Sequence, residues 1–351
     1  MKEAFTFDDV LIVPKFSSIA SREDVDLNYS GLSFPVISSN MDTVTGVTMA
    51  SEMLRYGAQA CLHRFCSIED NVKMFKDSQV LDVFAEAAPM VSIGLGDEGL
   101  ERARALYSAG ADIFVIDVAH GAQGAVARQA IALRGIIGSN GNIIVGNFAS
   151  GESVKDFLHA SGRIIDGVKV GIGPGSACTT RIKTGVGYPQ LSAVLDISRS
   201  LKNTGISIIA DGGMKTPGDI AKALGAGAHV VMLGGMLAGT DETPGETIER
   251  QDGPIALGVQ SWSYYKKYRG SASKESYEAQ GKTGTHRTSE GESFTVACKG
   301  PVKGILRDIE GGLKSAFSYV GACNLKEFHA NVEFVRITNA GYIEGTPHGK
   351  K

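Results

Sequence analysis

The chain has 351 residues, of which 43% are hydrophobic, and this is enough to bury the core of one large α/β domain or of two ordinary ones. The formal net charge is −3, so we expect no nucleic-acid partner, although local Lys and Arg residues can still hold a nucleotide phosphate. No apolar run approaches the roughly 18 residues that a membrane-spanning helix needs, so we expect no membrane partner either.

The cysteine content indicates free thiols. The chain holds five cysteines, an odd number at irregular spacing, and its first residues lack the basic and apolar regions of a signal peptide. We therefore expect a reducing cytoplasm. Cys61 and Cys66 are five residues apart with no second pair to complete a zinc site, so ordinary core or surface thiols are favoured over metal ligands.

Eight short apolar runs alternate with amphipathic stretches of helical period, which is typical of parallel strands joined by crossover helices. The runs are Pro35–Ser39, Ala58–His63, Met90–Gly94, Ile113–Val118, Ile143–Asn147, Gly167–Gly171, Ser207–Asp211 and His229–Gly234. The helical stretches include Gly99–Ser108, Glu152–Ala160, Leu191–Leu201 and Pro217–Leu224. Eight repeats of β then α predict a closed (β/α)8 barrel of the TIM type, as a single α/β domain over residues 1–351.

The carboxyl ends of these strands carry the residues that are suited to chemistry. In a (β/α)8 barrel the active site lies at that face. The candidates that directly follow their strands are Asp42, His63, Asp117, Asn147, Gly173, Asp211 and Gly234. The strand pattern and the polar residues therefore predict the same face.

The regular pattern stops after the eighth strand. Between about residues 254 and 301, Gly, Ser, Thr, Lys and Glu dominate, which is typical either of a long functional loop or of a disordered one. We expect a mobile active-site flap without regular structure. Two closing helices are predicted after it, over Ile305–Ala316 and Tyr319–Phe328.

A glycine-rich turn after the sixth strand carries Cys178. Glycines at positions 171, 173 and 175 permit backbone conformations that point carbonyls and amides inward around the thiol. Such a thiol can attack an electrophilic carbon, and hydroxyl groups and a cation accompany it at Ser176, Thr179, Thr180 and Arg181. The alternative is that Cys178 is a small buried hydrophobe.

This turn resembles the catalytic loop of the inosine monophosphate dehydrogenase and guanosine monophosphate reductase superfamily. Further motifs occur in that family's order: Asn-Met-Asp-Thr-Val at 40–44, Asp-Val-Ala-His-Gly at 117–121, Ala-Asp-Gly-Gly at 210–213 and Met-Leu-Gly-Gly-Met at 232–236. The resemblance covers nearly the whole chain and implies that Cys178 attacks C2 of a purine nucleotide. The regulatory (CBS) insert of most dehydrogenases is missing, because only Phe65–Val80 occupies its place.

A nucleoside monophosphate needs donors for its phosphate and an acceptor for its ribose. The amides of Gly212, Gly213, Gly234 and Gly235 lie where a barrel usually binds phosphate, and Ser176 and Tyr268 would add hydroxyl groups. Asp211 suits the two ribose hydroxyls, the alternative being a helix cap. The resemblance further implies purine contacts at Gly270, Ser271 and Ala272, with Ser271 in place of the family's usual methionine, and substrate contacts at Arg287, Ser289 and Gly291.

The flap decides between the family's two reactions. The stretch 285–291 resembles the reductases' Tyr-Arg-Ala-Ser-Glu-Gly, with His286 in place of tyrosine, and residues 278–291 lack the dehydrogenases' water-activating Arg-Tyr pair. Thr180 and Glu290 match the family's Thr-Glu pair, which would bring a proton to the departing amine. A solvated, inert Glu290 is the alternative. The Tyr268-Arg269-Gly270 segment is more typical of the dehydrogenases.

The chain contains no GxGxxG fingerprint, so barrel loops must bind any dinucleotide. The resemblance implies NADPH at Asp117, Val118, Ala119, Ile172, Gly173, Arg64, His286, Tyr319 and Gly321, with Ser21 and Arg22 reaching a neighbouring subunit's cofactor. Arg22 and Arg64 have the alternative of solvated surface cations. The resemblance also implies a monovalent cation site, for potassium, at Gly173, Gly175, Cys178 and Arg181, the alternative being a glycine-rich turn that binds no ion.

We therefore expect a cytoplasmic oxidoreductase, a homotetramer, that converts GMP and NADPH to inosine monophosphate (IMP), ammonia and NADP through a cysteine thioimidate. Two alternatives remain open. One is a short dehydrogenase without the regulatory insert, which oxidises IMP with NAD to xanthosine monophosphate (XMP). The other is a catalytically silent nucleotide-binding regulator on the same barrel.

Overall fold

The computed structural model describes residues 1–81, 86–256, 259–279 and 288–347. The strands are β1 (Val10–Ile12), β2 (Val36–Ser38), β3 (Gln59–Leu62), β4 (Val80–Leu81), β5 (Glu86–Ala87), β6 (Met90–Ile93), β7 (Ile113–Asp117), β8 (Asn142–Phe148), β9 (Gly167–Val170), β10 (Ser207–Asp211), β11 (Val230–Leu233), β12 (Ile248–Ala256), β13 (Val259–Arg269), β14 (Ser293–Ala297) and β15 (Phe334–Arg336). The helices are α1 (Val47–Arg55), α2 (Ile68–Ser78), α3 (Gly96–Ser108), α4 (Gly124–Ile137), α5 (Gly151–Ser161), α6 (Thr180–Thr184), α7 (Gln190–Ser200), α8 (Pro217–Gly225), α9 (Lys274–Ala279), α10 (Val302–Tyr319), α11 (Leu325–Asn331) and α12 (Asn339–Glu344).

Eight parallel strands close into a barrel in the order β2, β3, β6, β7, β8, β9, β10, β11, with β11 paired back to β2. These are the eight strands that the apolar runs predict, each within two residues of its expected bounds. The (β/α)8 barrel is therefore confirmed.

Side chains that point into the barrel form their own apolar cluster, separate from the shell between strands and helices. The cluster contains Ile37, Cys61, Met90, Val115, Ile144, Ile209, Val230 and Met232. Side chains alternate between the two faces of a strand, so the residues two positions further on, towards the carboxyl ends, also face inward. On β7 and β10 those residues are Asp117 and Asp211, which places both carboxylates directly above the apolar floor.

The outer helices begin at the residues that helix capping favours. Ser150 caps α5 by accepting a hydrogen bond from the Ser153 amide, and Thr216 forms a capping box with Asp219 at the start of α8, whose first residue is Pro217. These caps fix where each helix leaves the loop that follows its strand. None of the described helices is long and apolar enough to cross a membrane.

The segment after β11 is more ordered than the sequence predicts. Instead of an irregular flap from residue 254, β12, β13 and β14 form a three-stranded antiparallel sheet that begins at Ile248, and α9 follows β13. The expectation of a flap without regular structure was therefore wrong. Two of its predicted site residues, His286 and Arg287, lie outside the described residues.

The first closing helix is present as α10, which extends three residues beyond the predicted bounds at each end. The second was placed too early. Gly321 has a left-handed backbone (φ 67°), and Asn324 caps the helix by accepting from the Glu327 amide, so α11 begins at Leu325 and not at Tyr319. An unpredicted two-stranded sheet joins β1 to β15, so it links the two ends of the chain.

Candidate active site

The loop that carries Cys178 leaves β9 and ends at α6. Gly173 has a positive φ of 84°, which a side chain would make costly, and the Cys178 amide closes a turn by donating to the Gly175 carbonyl at 3.0 Å. Cys178 is half-buried in this turn, and α6 begins two residues later at Thr180. The sequence therefore places the thiol and the Thr180 hydroxyl on the same side of the loop.

The structure brings Cys178, Thr180 and Glu290 together in one chain of contacts. Cys178 Sγ lies 3.2 Å from Thr180 Oγ1, and Thr180 Oγ1 donates a hydrogen bond of 2.8 Å to Glu290 Oε2. A hydroxyl that touches both a thiol and a carboxyl group can pass a proton between the carboxyl group and an atom bound at the sulfur. The arrangement is that of a nucleophile with an adjacent proton relay.

Backbone pairing holds Glu290 at the thiol loop. The Thr179 amide donates to the Glu290 carbonyl at 2.8 Å, and the Glu292 amide donates to the Ala177 carbonyl at 2.9 Å. Cys178 and Gly291 thus form an isolated antiparallel bridge between the two segments. The position of the Glu290 carboxyl group is therefore set by main-chain hydrogen bonds, and not by its side-chain contacts alone.

A second group of predicted residues meets at the ends of β10 and β11. The Ser176 hydroxyl donates to the Tyr268 hydroxyl at 3.4 Å, and a side-chain carbon placed on Gly235 would lie 2.9 Å from Ser176 Oγ. One placed on Gly234 would lie 3.2 Å from Tyr268 Oη. The glycine backbone at this corner thus lies directly against two hydroxyl groups. Tyr268 is buried, and burial raises its pKa, so it remains a neutral hydroxyl.

The glycines that follow β10 border the thiol loop. A side-chain carbon on Gly212 would lie 3.2 Å from the Gly175 amide nitrogen, and one on Gly213 would lie 3.2 Å from Pro174 Cβ. The predicted phosphate residues of β10 and β11 therefore surround the loop of Cys178 from two sides. Such a corner, with partly buried glycine amides and two hydroxyl groups, suits an anion.

Residues of the flap root form the third side of the site. A side-chain carbon on Gly270 would lie 3.0 Å from the Ala177 carbonyl oxygen, and the Ala272 carbonyl accepts the Glu290 amide at 3.1 Å. The Ser289 hydroxyl contacts the Ala272 and Gly291 carbonyls at 3.2 and 2.9 Å. Ser271 lies in the turn closed by the Ser273 amide and the Gly270 carbonyl. The predicted purine contacts are thus beside the thiol loop.

A buried ammonium group joins two of the predicted carboxylates. Lys169 Nζ lies 2.9 Å from Asp117 Oδ1 and 2.6 Å from Asp211 Oδ2, and the Lys169 side chain is only 3% exposed. Asn147 Nδ2 also donates to Asp211 Oδ2, at 2.9 Å. The residues predicted for the ribose and for the cofactor therefore belong to one hydrogen-bonded group.

Each charged residue in this group stabilises the ionised form of its partner. Burial alone would raise the pKa of Asp117, but the Lys169 charge and hydrogen bond outweigh it and lower that pKa below its usual range. Burial alone would lower the pKa of Lys169, but the two carboxylates outweigh it and raise that pKa. We conclude that Asp117 and Lys169 are both ionised at neutral pH.

The remaining cofactor candidates of the barrel lie around Asp117. Val118 pairs with β8, since its amide donates to the Gly146 carbonyl at 2.9 Å, and Ala119 is exposed in the next turn. Ile172 is buried, and its carbonyl accepts from Arg181 Nε at 3.3 Å. The Arg64 guanidinium lies over the Phe65 ring, and its charge contributes to the lowered pKa of Asp117.

Four cofactor candidates form a separate surface cluster, and the structure does not bring them to the thiol through any described contact. Arg22 Nη2 donates to the Tyr319 hydroxyl at 3.4 Å, and the guanidinium lies 5.9 Å from the centre of that ring. Ser21 caps the short 3-10 helix that contains Arg22, and Gly321 follows Tyr319 closely. The expectation that Ser21 and Arg22 reach a neighbouring subunit's cofactor stays a prediction.

The residues predicted to hold a cation fit an oxygen-liganded ion. The Gly175 and Arg181 carbonyls accept the amides of Cys178 and Gly185, which leaves each oxygen one lone pair. The buried Thr179 Oγ1 has no hydrogen-bond partner among the described residues, so the turn offers a further oxygen. A donor set of neutral oxygens suits a hard cation. No group of three His, Cys, Asp or Glu side chains is placed for a metal ion in the described part of the chain.

Two features of the site escaped the sequence analysis. Lys169 lies within an apolar run and was interpreted only as part of a strand. A single charged residue in a buried strand requires a partner of opposite charge, and this is the signal that could have revealed the role of Lys169. The other is an ion pair between Arg269, at the end of β13, and both oxygens of Asp42, after β2. This hydrogen-bonded pair raises the pKa of Arg269 and joins the flap root to the barrel.

Comparison with known proteins agrees with this geometry. The family model described as IMP dehydrogenase / GMP reductase domain matches residues 4–348. The chain is 39% identical over 350 residues to a GMP reductase of Escherichia coli O157:H7 and 38% identical over 346 residues to one of Shigella boydii serotype 18, in each case across 94% of both chains.

A solved structure is similar over the whole fold. It is a crystal structure of a cysteine-to-alanine variant of GMP reductase from Trypanosoma brucei in complex with guanosine 5'-monophosphate, with a TM-score of 0.89 and 30% sequence identity, covering 100% of this chain and 99% of the other. A family match of this length, with relatives above 30% identity, leaves one assignment. The chain belongs to the IMP dehydrogenase / GMP reductase family.

Proposed function

We propose that this chain is an oxidoreductase that catalyses the NADPH-dependent reductive deamination of GMP to IMP and ammonia. The observation that carries the proposal is the contact chain from Cys178 through Thr180 to Glu290, since this reaction needs a nucleophile at C2 of the purine and a proton for the departing amine. The relatives in bacteria and in Trypanosoma brucei that bear the name GMP reductase support the same reaction.

The nucleotide would bind across the carboxyl ends of the strands. The phosphate would lie at Ser176, Tyr268 and the glycine pairs after β10 and β11, and Asp211 would accept the two ribose hydroxyls. This places the purine between the thiol loop and the flap root, against Gly270, Ser271, Ala272, Ser289 and Gly291. Arg287, which lies outside the described residues, was assigned to substrate on the resemblance alone.

The covalent step begins at sulfur. Cys178 Sγ, as the thiolate, forms a bond to C2 of GMP, and the C2–N bond of the amino group breaks. The departing nitrogen takes its proton from the Thr180 hydroxyl, which is replenished from the Glu290 carboxyl group at 2.8 Å, so ammonia leaves and a thioimidate remains on Cys178. Transfer of a hydride to C2 then expels the thiolate and yields IMP.

NADPH, when bound, supplies the hydride for C2. The residues around Asp117 fit a large polar ligand, because Arg64 Nε is buried there with no hydrogen-bond partner among the described residues. Asp117, which Lys169 keeps ionised, would bind the cofactor through its carboxylate. The residues lining the approach would be Val118, Ala119, Ile172 and Gly173. His286, outside the described residues, would contribute from the flap, and Tyr319 and Gly321 would contribute further cofactor contacts. Ser21 and Arg22 would contribute across a subunit boundary.

Release of ammonia, and not hydrolysis, is the step that Glu290 favours. A dehydrogenase must activate water against the thioimidate, and the sequence offers no Arg-Tyr pair in the flap for that purpose. The dehydrogenase-like residue of the flap root is Arg269, and its guanidinium is bound to Asp42. We therefore rank the oxidation of IMP to XMP second, behind the reductive deamination of GMP.

Three finer assignments belong to the same proposal. A potassium ion would bind at the carbonyls of Gly173, Gly175, Cys178 and Arg181 and would stiffen the thiol loop. A homotetramer would bring Ser21 and Arg22 to a neighbour's cofactor. A reducing cytoplasm agrees with the five cysteines, all of which are free thiols.

The test is the purified chain with GMP and NADPH. The proposal requires loss of NADPH absorbance that depends on GMP, with IMP and ammonia formed in equal amounts. Absence of turnover, with NADH appearing instead from IMP and NAD, would replace the proposal by the dehydrogenase reaction. Binding of GMP with neither turnover would make the chain a nucleotide-binding regulator.

A further inference from the structure

The group formed by Lys169, Asp117 and Asp211 does more than neutralise charge. We propose that Lys169 is a positioning residue, which orients the Asp211 carboxylate toward the ribose of GMP and the Asp117 carboxylate toward the cofactor, and so couples the two binding sites. The inference rests on the proposed function, because that function assigns Asp211 to GMP and Asp117 to NADPH.

The geometry makes Lys169 the common element. It lies on β9, at the level of Gly146 on the neighbouring β8, and Gly146 in turn is level with Asp117 on β7. Asp211 ends β10, on the other side of β9. An ammonium on the middle strand can therefore reach a carboxylate on each side, and the distances of 2.9 and 2.6 Å show that it does.

Gly146 lets β8 and β9 approach closely beneath the bridge. A side-chain carbon on Gly146 would lie 2.4 Å from Lys169 Cβ and 3.0 Å from the Lys169 carbonyl oxygen, so position 146 must lack a side chain whatever residue stands at 169. The distinctive contribution of Lys169 is its charge, since an apolar side chain of similar volume would fill the same space without burying an ammonium group.

The bridge leaves the two carboxylates able to accept hydrogen bonds from a ligand. Asp117 and Asp211 are 16% and 19% exposed, while Lys169 is 3% exposed, so the lysine lies beneath and the carboxylates face the open end of the barrel. Lys169 and Asn147 both contact Oδ2 of Asp211, and within the described residues Oδ1 accepts no hydrogen bond. One oxygen is held while the other remains for a hydroxyl group.

The charges around the bridge come from each neighbouring element. Arg64, after β3, acts on Asp117, and the charge of Asp211 acts on Tyr268 of β13. Asn40 and Asn147 add neutral amides, to Asp117 and to Asp211 respectively. Cys61 on β3 faces the group from below, and burial raises the pKa of its thiol, so it stays neutral. Lys169 is thus the cation that both carboxylates share.

Removing the ammonium leaves two partly buried carboxylates that had shared one cation. Neighbouring like charges disfavour double ionisation, so in Lys169→Met one of the two carboxyl groups retains its proton at higher pH. A protonated Asp211 loses acceptor capacity for the ribose. We expect the affinity for GMP alone, measured by calorimetry without cofactor, to fall by at least about 10-fold, which is the loss of one hydrogen bond to a charged group.

The variants separate positioning from a general loss of structure. Lys169→Met/Asp117→Asn leaves Asp211 as the one carboxylate of the group, so the net charge is again −1 and nothing opposes its ionisation. This double variant is expected to recover GMP affinity relative to Lys169→Met, while its NADPH affinity is expected to be below that of the wild type. Lys222→Met, which removes a lysine of α8 that donates to the Phe7 carbonyl, is the matched control and is expected to leave GMP affinity unchanged. If neither Lys169 variant folds, Asp117→Asn alone tests the proposal. In this variant Lys169 pairs with Asp211 only, and the dissociation constant for GMP is expected to change by more than about 3-fold because the hydrogen bond to Asp211 changes in strength.

The pH dependence of GMP affinity distinguishes a positioning lysine from a merely structural one, because loss of a structural lysine would not change that dependence. The ratio of wild-type to Lys169→Met affinity for GMP is expected to be largest near pH 5.5 and to shrink toward about pH 8.5, as the raised carboxyl pKa is passed. The phosphate of GMP, with its second pKa of about 6, titrates equally with both proteins, so it cancels in the ratio.

Each outcome bears on one proposal. Wild-type affinity for GMP in Lys169→Met, a ratio that is flat in pH, or no recovery in the double variant would overturn the positioning role. Turnover of GMP by the wild type would in each case leave the proposed function intact. Failure of the wild type to bind or turn over GMP would instead overturn the proposed function, whatever the variants do.

Discussion

Thr180 Oγ1 donates a 2.8 Å hydrogen bond to Glu290 Oε2, although the two residues are 110 positions apart in the chain. The threonine belongs to the barrel loop that carries the thiol, and the glutamate belongs to the segment before β14. Two backbone hydrogen bonds, from the Thr179 amide to the Glu290 carbonyl and from the Glu292 amide to the Ala177 carbonyl, hold the two side chains at this distance. The main chain therefore holds the two side chains of the proposed relay in contact.

Glu290→Gln tests that relay. The amide preserves the shape and can still contact the Thr180 hydroxyl, but it has no acidic proton to give. We expect the rate of ammonia release to fall roughly 100-fold or more while the dissociation constant for GMP changes little. Glu292→Gln, an exposed neighbour on the same segment, is the control and should behave as the wild type. A change confined to the Michaelis constant for GMP would make Glu290 a binding residue.

Cys178→Ala tests the nucleophile. Turnover should be abolished, while nucleotide affinity should stay within about an order of magnitude, because the thiolate supplies the covalent step and little ground-state affinity. Mass spectrometry of the wild type with GMP should detect a nucleotide adduct on Cys178 that the variant lacks. Residual activity near the wild-type level in Cys178→Ala would disprove the thioimidate route.

Product partition tests the direction of the chemistry. GMP with NADPH should yield IMP with little or no XMP, since the thioimidate waits for hydride in a site without a water-activating pair. Chromatography of the products from GMP plus NADPH, and from IMP plus NAD, measures this directly. Substantial XMP from the second mixture would indicate that another base activates water and that the chain is a dehydrogenase.

Arg269→Met tests the ion pair at the flap root. Asp42 would keep its partly buried charge without a partner, and we expect the free energy of unfolding to fall by about 1 to 3 kcal/mol. The Michaelis constant for GMP should also rise, because Gly270 follows Arg269 directly. Chemical denaturation and steady-state kinetics measure the two effects. Arg250→Met, which alters an exposed arginine of the same sheet, should leave both unchanged, and an equal effect there would refute the role of the pair.

His229, at the opposite end of the barrel, predicts an acid-dependent loss of stability. Burial, together with the nearby His329, lowers its pKa to about 4, and its Nδ1 accepts the Ile208 amide at 3.0 Å. The folded state therefore binds this proton less readily than the unfolded state, whose pKa is about 6.5. Stability should be complete above about pH 6.5 and should fall by up to about 3 kcal/mol as the pH drops to 4.

The control for this prediction is His229→Asn, which keeps an acceptor for the Ile208 amide but cannot titrate. Thermal unfolding of both proteins between pH 4 and 7 isolates the contribution of His229 as the difference between the two curves. Parallel curves over that range would show that the imidazole does not take up a proton on unfolding.

The barrel was predictable because each strand is a short, mostly buried run that ends at or near a polar residue or a glycine, as in Ile113–Asp117. The sheet of β12 to β14 was missed for the opposite reason. Its composition is polar, yet β13 carries Trp262, Tyr264, Lys266 and Tyr268 on alternate positions, which is the period of a strand. Composition outweighed periodicity there, and the segment was interpreted as a loop.

The candidate site was also predictable only in part. Cys178 and Thr180 are neighbours in sequence, so their meeting follows from one glycine-rich turn. Glu290 could be joined to them only through resemblance, because nothing local indicates which part of a barrel a distant segment will contact. Lys169 could not be assigned to a partner, since the pairing depends on the lateral register of β7, β9 and β10, which single-sequence patterns do not define.

The backbone pairing between residues 177–179 and 290–292 also bears on how the molecule is made. A newly synthesised chain acquires its thiol loop well before the residues that complete it. A barrel with every strand closed would still hold a thiol that lacks its proton donor, able to meet a nucleotide but not to release product from it. Activity would then be the last property gained during maturation, and its appearance would report that the two halves of the chain have joined correctly.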